Sequence, residues 1–153
     1  MKNRIWLGFV LVLVFSACRK DPKDPLVNQG GTKYVPTVID PTTIFPVSKF
    51  GLPNLPSDNP FTEEGVYLGR MLFYDPILSR DSTISCSSCH SQFTAFTHVD
   101  HDLSHGIDDR IGFRNAPAVM NLAWQKSFMW DGAINHLDMQ ALAPITNPLE
   151  MDE

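Results

Sequence analysis

The residues best placed to do chemistry are two cysteines and a histidine in the middle of the chain. Cys86 and Cys89 are separated by two serines, and His90 follows the second cysteine directly. This spacing puts both sulfurs on one turn, where they can form thioethers with the two vinyl groups of a porphyrin while the imidazole binds its iron. The Cys-x-x-Cys-His pattern is typical of c-type haem attachment. The sequence therefore predicts one covalently bound haem c.

Three alternative uses of these cysteines have less support. A thioredoxin-like dithiol would lie at a strand-to-helix junction in a βαβ unit, and no such pattern is visible. A structural zinc site would need two further ligands, which His98, His101 and His105 could supply. Outside the cytoplasm, Cys86 and Cys89 could also form a plain disulfide.

The N-terminus predicts export. Lys2 and Arg4 precede an almost wholly apolar run, and small residues then lead to Cys18, as expected for a signal peptide over residues 1–17. The position of Cys18 indicates a lipoprotein in which this cysteine is lipidated, with cleavage by the general signal peptidase as the alternative. We therefore expect a protein of the periplasm or cell envelope, anchored to the membrane by an N-terminal lipid.

Residues 18–60 have the composition of a tether. This stretch contains eight of the twelve prolines, namely Pro22, Pro25, Pro36, Pro41, Pro46, Pro53, Pro56 and Pro60. Such a segment fits a linker that holds a domain away from a membrane, and simple disorder of its first part is compatible with that role. We expect the later part, residues 34–55, to lie over the surface of a domain formed by residues 61–153.

The composition fits one soluble domain that does not bind nucleic acid. The chain has 153 residues and a formal net charge of −5, whereas nucleic-acid binding usually leaves a basic footprint. The predicted fold class is mainly α, a cytochrome c-like haem domain of short helices and long loops with no substantial sheet. Four helices are predicted. The first begins near Thr62 and ends at Asp75, and the second covers Cys86 to His90. The third runs from Asn115-Ala116-Pro117 to Trp124, and the fourth runs from Asn135 to Ala143 and stops before Pro144. Because four short helices bury little area by themselves, a haem would supply apolar bulk.

Several motifs in one order resemble the bacterial di-haem cytochrome c peroxidases, which include the MauG-like proteins. The resemblance covers about Thr62 to Met151. Its segments are Leu68-Gly69-Arg70-Met71-Leu72-Phe73-Tyr74-Asp75-Pro76, Ser85 to His90, Ala95-Phe96-Thr97, Arg114-Asn115-Ala116-Pro117, Trp130-Asp131-Gly132, and Gln140-Ala141 through Pro144 to Asn147-Pro148-Leu149-Glu150-Met151.

The resemblance implies a role for each matching residue. His90 is similar to the proximal ligand of the peroxidatic haem, and His105 to the histidine that occupies the distal position in the resting state and leaves on reductive activation. Glu150 and Gln140 are similar to the distal pair that handles peroxide. Trp130 is similar to a tryptophan on the electron route between two haems.

Asn115 resembles a ligand of the calcium found between the two domains of these proteins. Each residue also has a simpler interpretation: His105 as a solvated loop histidine, Glu150 as a surface charge, Trp130 as core and Asn115 as a helix cap. A carboxylate near open iron nevertheless suits proton transfer within peroxide. A histidine on a flexible loop suits a gate.

Three features depart from the family pattern. Ala133 stands where relatives often have arginine, and His98 stands where many have aspartate. Relatives also carry a second haem domain, whereas this sequence stops two residues after Met151. We therefore expect the N-terminal half of a di-haem peroxidase, with the second haem domain missing.

The leading functional hypothesis is an oxidoreductase that reduces hydrogen peroxide to water with electrons from a small donor such as a cytochrome c. We expect this function to be incomplete in the fragment, because the second haem that usually supplies the second electron is missing. Its expected cofactors are one haem c and, from the resemblance, calcium, and a homodimer is compatible with this hypothesis. The alternative is a mono-haem electron carrier without peroxidase activity, in which a methionine often binds the far side of the iron. A third hypothesis is a lipoprotein whose degenerate haem region serves only as a binding module.

Overall fold

The computed structural model describes residues 35–98, 100 and 102–153. The predicted signal peptide, Cys18 and the first part of the tether lie outside the described residues, as does His101. The described part contains short helices and isolated β-bridges but no β-strand, which confirms the mainly α fold class. Its α-helices are α1 (Pro41–Ile44), α2 (Val47–Phe50), α3 (Glu63–Tyr74), α4 (Cys86–Cys89) and α5 (Leu137–Thr146). Its 3₁₀ turns are Pro76–Leu78, Gln92–Thr94, Ile107–Asp109 and Leu122–Trp124.

Helix α3 begins and ends where its sequence predicts. Thr62 is the N-cap, and its hydroxyl accepts a hydrogen bond from the Gly65 N–H at 3.1 Å. Two glutamates in the first turn face the positive end of the helix dipole. At the other end Asp75 has extended backbone angles and accepts a bond from the Ile77 N–H at 2.9 Å. Local capping therefore determines both ends of this helix.

The prediction of a helix that starts at Asn115-Ala116-Pro117 is wrong. Only the last residues of that stretch form a 3₁₀ turn, Leu122–Trp124. The Val119 N–H donates to the Phe96 carbonyl at 3.2 Å. Asn121 adopts a left-handed conformation, with φ of 55°. A long-range backbone bond and a left-handed residue thus replace the local ladder that a helix would need.

The predicted end of the last helix is also wrong. Helix α5 begins at Leu137 rather than near Asn135 and continues through Pro144 to Thr146. Proline removes one N–H from the ladder and usually ends a helix. Here the C-terminal segment compensates, because the Met151 N–H donates to the Pro144 carbonyl at 3.2 Å. Tertiary contacts therefore support the last turn.

The stretch before α3, residues 36–61, packs on Trp124. The Phe45 ring meets the indole edge-on at a centroid distance of 5.1 Å, and the Phe50 ring lies 5.9 Å away. The indole N–H also donates to the Gly51 carbonyl at 3.3 Å. Aromatic contacts of this geometry stabilise beyond their area alone. They hold this proline-rich stretch against the helical part of the domain.

The hydrophobic core of the described residues is small. Four hydrophobic residues are buried, namely Ile107, Ala116, Phe128 and Met151, whereas nineteen large hydrophobic residues are exposed. None of the helices in the described ranges has the length and apolar character needed to cross a membrane. The helices thus leave much apolar surface available for contacts beyond the chain itself.

Candidate functional site

The cysteine pair lies on the short helix α4. The Ser88 hydroxyl accepts a bond from the Ser85 N–H at 3.1 Å at the start of this helix. At its end the His90 N–H donates to the Cys86 carbonyl at 2.9 Å. This single turn brings Cys86, Cys89 and His90 together, as the sequence predicts.

The His90 ring is oriented by a backbone carbonyl. Its Nδ1 lies 3.1 Å from the carbonyl oxygen of Phe96, so that in the Nδ1–H tautomer it donates there and leaves Nε2 for a metal. Ala95 and Phe96 both have left-handed angles, with φ of 56° and 58°, and this tight turn directs the carbonyl to the ring. A ligating histidine commonly donates its second ring nitrogen in this way. The sequence prediction gave Phe96 no role, although the Ala95-Phe96-Thr97 segment was the available signal.

The two thiols are free rather than joined in a disulfide, and both are half-buried. Burial raises the pKa of the Cys86 thiol. Burial, with smaller contributions from the charge of Glu150 and from Cys86, raises the pKa of Cys89 to about 11. A thioredoxin-like dithiol needs a lowered thiol pKa, so this environment does not favour disulfide chemistry.

A zinc site has no support in the described ranges. Groups of three or more histidine, cysteine, aspartate or glutamate side chains that could hold a metal ion are absent from residues 35–98, 100 and 102–153. His101, one of the candidate ligands, lies outside those ranges. Haem attachment remains the use of the cysteines that agrees with both the thiols and the His90 ring.

His105 lies on a loop that contacts the cysteine pair. The Cys89 thiol donates to the His105 carbonyl at 3.5 Å. The His105 ring has Nδ1 2.7 Å from a carboxylate oxygen of Asp109. The loop backbone is therefore close to the cysteine pair, while the role of the His105 ring as distal ligand stays a prediction.

Glu150 carries a half-buried carboxyl and lies near the turn formed by Cys86, Cys89 and His90. One of its oxygens accepts a bond from the Asn147 side-chain amide at 2.8 Å. Burial raises the pKa of Glu150, although the Asn147 bond and the nearby His90 partly oppose the rise. Backbone contacts link this segment to the cysteine–histidine turn, because the His105 carbonyl accepts from the Cys89 thiol and the Glu150 carbonyl accepts from the Ile107 N–H.

The loop that carries His105 (residues 102–114) is here called the histidine loop. Its backbone packs directly on the segment that carries Glu150. A Cβ atom added at Gly106 would lie 2.1 Å from the Leu149 carbonyl oxygen, so only glycine permits this approach. The Ile107 N–H donates to the Glu150 carbonyl at 2.8 Å, and the Ile107 side chain is fully buried. The loop that the sequence predicts to be a flexible gate is thus bonded to the proposed acid–base residue.

Gln140 and Trp130 each have a partner outside the cysteine–histidine turn. The Gln140 amide N–H contacts the Met129 sulfur at 3.3 Å, while its buried Oε1 has no hydrogen-bond partner among the described residues. The Trp130 indole N–H donates to the Asn115 carbonyl at 2.9 Å, and the ring is largely exposed. No hydrogen bond joins Gln140 to Glu150 among the described residues, and their role as a distal pair stays a prediction. Calcium binding by Asn115 stays a prediction.

These residues fit a haem c. Two free thiols lie on one turn, and a backbone carbonyl orients the adjacent imidazole. Exposed apolar side chains in the same domain can pack on a porphyrin face.

Comparison with known proteins finds one family. Residues 63–153 match the model of the family described as di-haem cytochrome c peroxidase. The methylamine utilization protein MauG of Methylorubrum extorquens is 42% identical over 103 residues, which are 63% of this chain and 27% of that protein. The cytochrome c551 peroxidase of Pseudomonas aeruginosa is 39% identical over 93 residues, which are 60% of this chain and 26% of that protein.

Solved structures agree with the sequence relatives. A MauG-like protein associated with microbial copper homeostasis aligns with a TM-score of 0.60 and 37% identity, covering 81% of this chain and 34% of that one. The diheme peroxidase BthA of Burkholderia thailandensis has a similar fold, with a TM-score of 0.56, 24% identity and coverage of 78% of this chain and 30% of that one. The chain thus spans between about a quarter and a third of the length of these proteins.

Proposed function

Because the chain belongs to the di-haem cytochrome c peroxidase family, we propose that residues 61–153 form a haem c domain that reduces hydrogen peroxide to water. Cys86 and Cys89 would hold the haem through thioethers, and Nε2 of His90 would bind its iron. When bound, this group supplies the redox-active iron that peroxide reduction requires. The observation that carries the proposal is the His90 ring, held by the Phe96 carbonyl at 3.1 Å, with the half-buried carboxyl of Glu150 on the segment against which the His105 loop packs.

Glu150 acts as the acid–base group in this proposal. Reduction of one peroxide consumes two electrons and two protons and yields two waters, so a proton must move from the inner to the outer oxygen as the O–O bond breaks. A carboxylate can accept and return that proton. Asn147 holds one Glu150 oxygen by a bond of 2.8 Å, which fixes the carboxyl and leaves its other oxygen for the proton.

Gln140 orients peroxide in this proposal. As a neutral amide it can bind peroxide without competing for the proton, and its buried Oε1 is the acceptor without a partner. Trp130 would lie on the electron route, with its indole fixed by the Asn115 carbonyl. His105 would serve as the distal ligand of the resting state.

We further propose that the chain acts in the cell envelope and receives electrons from a small donor such as a cytochrome c. These assignments rest on the signal-peptide pattern, on Cys18 as lipidation site and on the family. Calcium at Asn115 belongs with them. None of them changes the chemistry assigned to Glu150.

The test is to mature the 153-residue chain in a periplasm that attaches haem c. Mass spectrometry should find haem on the peptide containing Cys86 and Cys89. The reduced haem-loaded chain should be oxidised by peroxide, and Glu150→Gln should slow this bimolecular step by about 100-fold. Equal haem content in both proteins is the control. A haem-loaded chain that transfers electrons but is inert to peroxide is an electron carrier, and that result would overturn the proposal.

A further inference from the structure

Four charged side chains form a closed ring next to the candidate site, here called the charge cluster. Arg80 bonds to Asp108 at 2.7 Å and to Asp152 at 2.5 Å. Arg110 bonds to the same two carboxylates, each at 3.0 Å. Two arginines thus share two aspartates, and each side chain has two partners within the ring. The proposed function assigns no role to the charge cluster.

The charge cluster joins three segments of the chain. Asp108 and Arg110 belong to the histidine loop, Asp152 follows Glu150 by two residues, and Arg80 follows the turn after α3. The Arg80 N–H also donates to the Met151 carbonyl at 3.1 Å. The short segment that carries Glu150 is therefore held from two sides.

Arg110 makes the most direct hold on that segment. Besides its two ion pairs, its guanidinium donates to the Pro148 carbonyl at 2.6 Å. Arg110 is therefore bonded to the chain two residues before Glu150, at Pro148, and two residues after it, at Asp152. The Arg110 carbonyl also accepts a bond from the Gly106 N–H at 2.8 Å, and this bond connects Arg110 to the part of the loop that packs on the Glu150 segment.

We propose that Arg110 is a positioning residue for Glu150: by bonding both flanks of its segment, it fixes where the carboxyl stands relative to the cysteine–histidine turn. This inference rests on the proposed function of Glu150. A guanidinium is needed, because its planar fork can reach a carbonyl and two carboxylates at once, whereas a lysine ammonium is a single flexible point charge.

The first test measures position without activity. In the full haem-loaded chain, hydrogen exchange of the Ile107 amide reports on its bond to Glu150. Arg110→Gln should speed this exchange by about tenfold, and Arg110→Lys should restore it only in part. Lys126→Gln, which removes one positive charge from an exposed site, should leave the exchange unchanged. Unchanged exchange in Arg110→Gln would overturn the proposal.

The second test asks whether Arg110 acts through Glu150. The bimolecular peroxide rate should fall by about tenfold in Arg110→Gln, but Arg110→Gln should have no further effect in a Glu150→Gln background, because residues that act as a unit are not additive. An additive loss would mean that Arg110 supports the fold generally, and no loss in the single variant would mean that it positions nothing. If Glu150→Gln itself leaves the peroxide rate unchanged while haem is attached, the proposed function fails instead.

Discussion

At position 150, burial and hydrogen bonding act on one carboxyl in opposite directions. Burial disfavours the charged form and raises the pKa, whereas the Asn147 amide and the nearby His90 favour the charged form. Burial wins. A carboxyl with a raised pKa exchanges protons more readily near neutral pH than an ordinary glutamate does, and this suits the acid–base role proposed for Glu150.

This shift predicts the pH dependence of peroxide reduction. The carboxylate form of Glu150 must accept a proton, so the rate should fall as the pH falls through its raised pKa. The midpoint of this acid limb should therefore lie above 4.5, the ordinary value for glutamate. Stopped-flow rates of the haem-loaded chain with peroxide across a range of pH would measure the midpoint. Glu150→Gln should remove the limb, and the same limb in that variant would assign it to another group.

At the level of elements, the helices that were predictable from the sequence are those whose ends are set by local interactions. Helix α3 has its own cap and dipole partners, so both of its ends were predictable. The serines and the cysteine spacing of α4 likewise made the position of that helix predictable. The stretch after Pro117 was not predictable, because the Val119 N–H bonds to Phe96, far away in the sequence.

The contacts that shape the site likewise depend on tertiary structure. The bond between the His90 ring and the Phe96 carbonyl requires two successive left-handed residues, neither of which is glycine. The ring of Arg80, Asp108, Arg110 and Asp152 joins segments that are up to seventy-two residues apart. The motifs predicted candidate site residues, while these long-range contacts determine how the side chains are held.

The packing of the histidine loop on the Glu150 segment predicts a sharp difference between two glycines. Gly106→Ala would place a methyl group against the Leu149 carbonyl, which cannot move aside like a side chain, so the free energy of unfolding should fall by about 2 kcal/mol. Gly112→Ala, in the same loop, meets the Ser104 hydroxyl at 2.9 Å. This hydroxyl can rotate away, so the control should lose less than about 1 kcal/mol. Denaturant unfolding of both haem-loaded variants measures the difference, and equal losses would contradict the packing described.

On the scale of the whole molecule, the described residues have more exposed than buried apolar side chains of large size. The described residues form short helices joined by long loops, with few contacts between helices. A domain with so little apolar burial gains little stability from its own core. The haem proposed for this domain would bury part of that exposed apolar surface.

The dependence on haem predicts how the chain behaves without it. The double variant Cys86→Ala/Cys89→Ala cannot form the thioethers but keeps every other side chain. It should retain helical far-ultraviolet circular dichroism, bind the dye ANS and unfold over a broad range, because apolar surface stays exposed and packing is loose. The haem-loaded chain should instead unfold cooperatively, and its midpoint should be higher, because a group bound only by the folded state stabilises it. The control is Ser87→Ala, which leaves both cysteines and His90 in place and should unfold like the haem-loaded parent. Cooperative unfolding of the double variant at the same midpoint would show that the polypeptide provides its own core, and that the exposed apolar side chains have another explanation.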